Sequence, residues 1–156
     1  MHIGTTVLIL HGLVAVGLLG ATTHQMLAIW MPSRAKSPSF FGRFRAVRAA
    51  AFTNAIVVLN VVSALLGAAV YLYFKVDIQP SLERDRHWYA LGLLDLKEDF
   101  VAIGLGVLPT YWISWRQPLV DEYRQMRAAL IALLAFIVWW GFIVGHLTND
   151  IRGFGS

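Results

Sequence analysis

The chain has 156 residues, of which 58% are apolar and 14% are charged, and its mean hydropathy is +0.62; soluble domains run nearer one-quarter charged, so lipid is the expected solvent for much of this one. Its net charge is +4, but the basic residues cluster between apolar runs, a pattern of membrane topology that argues against a nucleic-acid partner. The lack of cysteine excludes disulfides, iron–sulfur clusters and thiolate metal sites.

Four apolar runs follow in chain order. The first covers residues 6–30 and ends at Met31-Pro32-Ser33. Met1 to Thr6 carries no Lys or Arg, and the run is too long for the core of a leader peptide, so a retained first helix is expected. The second covers residues 49–74, the third 96–115 and the fourth 128–147. Crossing a hydrocarbon core of about 30 Å takes about 20 residues of α-helix at 1.5 Å each, and every run reaches that length. Unpaired backbone amides are too costly in lipid, so the runs must be helical. They do not alternate, which excludes a closed barrel. The expected fold is all-α, a single membrane domain built as a four-helix transmembrane bundle.

The start of the third helix is set by Asp95 and Glu98, whose spacing is that of a capping box and whose charge suits a helix N-terminus. Residues 87–94 then become a short interfacial segment, with Trp88 and Tyr89 at headgroup level. Pro109 is expected to kink the helix, and Trp112 and Trp115 to mark its far interface.

Loop charges give the orientation. The first loop holds Arg34, Lys36, Arg43, Arg45 and Arg48 with no acid, and the last connection holds Arg116, Arg124 and Arg127. Between Lys75 and Asp99 the acids Asp77, Glu83, Asp85, Asp95, Glu98 and Asp99 outnumber the bases. The positive-inside rule puts the basic loops in the cytoplasm and both termini outside, N-out/C-out. The compact loops suit a bacterial cytoplasmic (inner) membrane.

No Walker A loop, HExxH, GxSxG or dinucleotide fingerprint occurs, so independent catalytic activity is not expected. The histidines carry the remaining chemistry. His2, His11, His87 and His146 fall toward the outer side under this topology, and His24 toward the cytoplasm. Membrane-embedded ionisable residues usually face a bundle interior or cavity. His11-Gly12 and Gly145-His146 could hold one b-type haem, each glycine letting a flat macrocycle approach the backbone. Gly141 and Gly145 also form a GxxxG step, which commonly means helix packing alone. His11 and His24 lie about 20 Å apart along the axis but about 140° apart around it, which argues against two stacked haems. His24 reads instead as a polar interfacial residue bonded locally.

His87, Asp95, Glu98 and Asp99 could bind a divalent metal or relay protons, or form a hydrated helix cap. Asn54 and Asn60 are polar groups within the second run, expected to bond between helices, and Asn54 or His24 could meet a quinone headgroup. Ser63 to Gly67 and Ala64 to Ala68 are small-xxx-small steps that predict tight packing of the second helix. The leading expectation is a small membrane subunit of an electron-transfer or energy-transducing complex, one that could carry haem b on His11 and His146, partnered by lipid and by other membrane subunits. The alternative is a cofactor-free structural or assembly subunit, and the third is a metal- or proton-handling protein using the outer cluster.

Overall fold

The computed structural model describes residues 3–31, 48–118 and 121–151, and among them every regular element is helical. Helix α1 spans Ile3–Trp30. A single 3₁₀ turn at Ala49–Phe52 leads into α2, Thr53–Tyr73. A π-helical turn at Phe74–Ile78 carries the chain on into the short α3, Gln79–Arg84, whose proline stands in the first turn where its missing amide is harmless. After a tight bend come α4, Trp88–Arg116, and α5, Asp121–Ile151. The stretches Gly4–Trp30, Ala49–Arg84 and Tyr123–Ile151 are long and apolar enough to cross a membrane. Helix α4 has the length, about 43 Å at 1.5 Å per residue, but its first half carries Asp95, Lys97, Glu98 and Asp99.

The principal packing runs α1 on α2, α2 on α4, α4 on α5 and α5 back on α1. Each of these helices supplies the core, in which Leu18, Ile56, Leu108, Tyr111, Ile131 and Leu134 are buried together. Large apolar side chains also point outward: Leu65 is 68% exposed, Leu13 66% and Phe136 52%. Helices apolar on both the inner and the outer face belong in hydrocarbon rather than water.

Three boundaries differ from the sequence expectation. The third long helix does not begin near residue 96 behind a segment at 87–94; His87 is its N-cap and residues 88–94 are its first turns. The bend at Asp85–His87, where Arg86 takes φ 59°, starts the helix early. That start lets α4 pack on α3 and buries Ala90 and Leu94 along with Ile78 and Leu82. Asp95 is therefore an exposed mid-helix residue and no cap. The second helical run continues past 74 through the π turn to Arg84, and the last extends to residues 121–151. Pro109 lies inside α4 without ending it. The basic residues Arg34, Lys36, Arg43 and Arg45, and His2, lie outside the described residues.

Candidate functional site

Two polar groupings lie at opposite ends of the helices. At the end where α1 finishes and α2 begins, Gln25, Thr53, Tyr111, Ser114 and Arg127 are all buried. The Tyr111 hydroxyl donates to Gln25 Oε1 at 2.6 Å, and Gln25 Nε2 donates to the Ala49 carbonyl at 2.9 Å and toward Thr53 Oγ1 at 3.4 Å. Three helices are thus tied by one amide side chain. A buried amide must satisfy its donors and acceptors or cost free energy, and here both ends are engaged.

Arg127 is 3% exposed. Its Nε donates to the Ser114 carbonyl at 2.8 Å, and its Nη2 donates to the carbonyls of Gln117 at 2.6 Å and Pro118 at 3.2 Å. The last turn of a helix leaves carbonyls without intrahelical partners and carries a partial negative charge. One guanidinium answers both, with Trp115 stacked 5.3 Å away. His24 is buried, with its ring 4.6 Å from that of Phe52. From the sequence Arg127 reads as a loop base, and nothing in the spacing joins Gln25 to Tyr111. The signal was there in Thr22-Thr23-His24-Gln25, four polar residues inside an apolar run.

At the other end, His11 of α1 lies against α2. A Cβ at Gly67 would stand 3.2 Å from His11 Cε1, so the absence of a side chain there makes room for the imidazole. Its Nδ1 is buried and has no hydrogen-bond partner. The ring is within hydrogen-bonding reach of the Ser63 backbone, and Lys97 and Glu98 of α4 are within electrostatic range. Lys97 and Glu98 pair with each other at 3.3 Å. The small-xxx-small step at Ser63 and Gly67 is thus where α2 receives a histidine from α1.

The expected haem ligands meet different surroundings. His146 is exposed, with Nδ1 2.9 Å from the Phe142 carbonyl one turn back and its ring 4.2 Å from that of Phe142. That bond leaves Nε2 free, as a ligating histidine would need. However, no ring contact or hydrogen bond joins it to His11, whose ring is turned to α2.

The set His87, Asp95, Glu98 and Asp99 is strung along α4 over about 18 Å at 1.5 Å per residue. His87 meets the Tyr89 ring edge-on, Glu98 pairs with Lys97, and Asp95 and Asp99 are exposed. Among the described residues no three His, Asp or Glu side chains gather as a metal site would require. Asn54 does bond between helices, accepting from Trp112 Nε1 at 3.2 Å. Asn60 does not: its Nδ2 donates to the Ile56 carbonyl of its own helix at 2.9 Å.

Gly141 and Gly145 of α5 are open. Among the described residues no atom comes within 4 Å of where either Cβ would stand, leaving out the helix's own nearby backbone.

The fold defines a class, an all-helical protein with three helices long and apolar enough to cross a membrane. Comparison with protein-family models, curated proteins and solved structures found no match.

Proposed function

We propose that the chain is an integral-membrane four-helix bundle, both termini outside, that serves as a subunit of a larger electron-transfer or energy-transducing membrane complex. The observation that carries the subunit reading is the open GxxxG step. Gly141 and Gly145 lie in a helix suited to the membrane, and among the described residues no side chain fills the space beside them. Small residues at that spacing let a second helix approach closely, and van der Waals packing of this kind drives helix association in lipid. The histidine-bearing end supports a place beside redox or proton chemistry, since intramembrane ionisable residues concentrate on such paths.

Of the two forms of this reading, the cofactor-free subunit is the better supported, because His11 and His146 face different surroundings. The haem form keeps one observation in its favour, the buried and unpartnered Nδ1 of His11 over Gly67. Native mass spectrometry of the chain extracted in mild detergent tests the subunit reading. A fixed stoichiometry with other membrane proteins is expected, reduced in Gly141→Leu and Gly145→Leu while helicity is kept; a monomer indifferent to both substitutions removes the reading. A reduced-minus-oxidised spectrum of the same sample separates the forms. A b-type band lost in both His11→Ala and His146→Ala returns the haem form to first place.

A further inference from the structure

A groove of about 580 Å³ opens between the last turn of α1 and the first turns of α5, within the roughly 300–1,000 Å³ of small-molecule sites. Its walls are Ile29 and Trp30 on one side and Arg124, Gln125, Ala128 and Ala129 on the other. The two helices are tied beside it, where Trp30 Nε1 donates to the Ala128 carbonyl at 3.3 Å.

The lining is graded. Ile29, Ala128 and Ala129 give an apolar part toward the spans, Trp30 an amphipathic ring of the kind that settles at headgroup level, and Arg124 with Gln125 a polar mouth. The neighbouring cations are committed elsewhere. Arg127 is bonded to the end of α4, and Arg116 lies over the Trp112 ring at 3.9 Å. Arg124 is exposed and has neither an ion pair nor a hydrogen bond among the described residues. This end of the chain carries Asp121 and Glu122 against Arg116, Arg124 and Arg127, and the first loop adds five bases and no acid. Basic pockets between transmembrane helices on the side of the basic loops are the usual seat of anionic headgroups.

We propose that this groove binds one anionic phospholipid, its phosphate on Arg124 and its acyl chains passing Ile29 and Ala128. The guanidinium fork matches two phosphate oxygens, which a neutral zwitterionic lipid presents with a competing ammonium. The site rests on the membrane-embedded reading and needs no partner protein.

The test is native mass spectrometry of the whole chain released from nanodiscs of phosphatidylcholine doped with phosphatidylglycerol. Wild type is expected to retain one phosphatidylglycerol in preference to phosphatidylcholine. Arg124→Gln is expected to weaken that preference roughly fivefold, the size of one basic group at an anionic surface. Ala129→Phe, which keeps the charge and fills the groove, is expected to weaken it as well, whereas Arg116→Gln keeps it. Inorganic phosphate at buffer concentrations is expected not to compete. Equal retention of both lipids by a protein that still enters the nanodisc overturns the site and leaves the membrane reading standing. A preference untouched by Arg124→Gln, or one abolished by inorganic phosphate, also overturns it. A chain that does not enter nanodiscs at all removes the membrane reading and the lipid site with it.

Discussion

Arg127 turns a basic residue near a helix start into an internal bond for the helix before it. Its guanidinium answers the carbonyls of Ser114 and Gln117 at once. Removing one partner of a buried bond leaves the other to bear its desolvation, about 1–3 kcal/mol for each orphaned group. Arg127→Met is therefore expected to lower stability by about 2–4 kcal/mol, read from unfolding in mixed micelles. Arg127→Lys recovers only part, because an ammonium lacks the planar fork. Tyr111→Phe, which leaves Gln25 Oε1 without its donor, is expected to cost about 1–3 kcal/mol. At the far end, a leucine at Gly67 has no room beside the His11 ring. Gly67→Leu should cost about 1–3 kcal/mol through overpacking, and combining it with His11→Ala should recover much of that. Strict additivity of the two substitutions would count against the contact.

At the scale of the element, apolar length alone marked the helical runs, because lipid leaves the backbone no alternative. The beginning of α4 was not legible from local pattern. Asp95 and Glu98 have the spacing of a cap, but the helix begins two turns earlier, where α4 packs on α3 and Ala90 and Leu94 are buried. A capping residue replaced by alanine costs typically about 1 kcal/mol, whereas an exposed mid-helix residue changes stability within about 0.5 kcal/mol. Asp95→Ala is expected to fall in the second class, and a loss of the first size would restore the cap. Periodicity placed the histidines on their helices but not their rotation about the helix axes. His11 and His146 fall in regions the sequence could assign to one end, yet one ring turns to α2 and the other lies on the exposed side of α5. The network of Gln25, Tyr111, Ser114 and Arg127 was missed for a related reason. Such bonds join residues distant in the chain, and composition carries no record of that distance.

For the whole molecule, the charge bias of the connections predicts which compartment each end meets, and the sequence makes that testable without background. Because the chain has no cysteine, a single cysteine placed at Phe40 and another at Ser156 report their sides independently. With an impermeant maleimide on intact cells, the first is expected to stay unlabelled and the second to react. The reverse pattern would invert the topology and move the histidine end to the cytoplasm.

The hydrogen bonds of Arg127 also set an order of assembly. They close between segments that leave the ribosome almost together, α4 and the start of α5. The link from Tyr111 to Gln25 instead spans most of the chain. Contacts of short sequence separation form before those of long separation. On the membrane-embedded reading, the carboxy-terminal hairpin is expected to enter the bilayer with Arg127 already bonded and to dock afterwards on the amino-terminal pair.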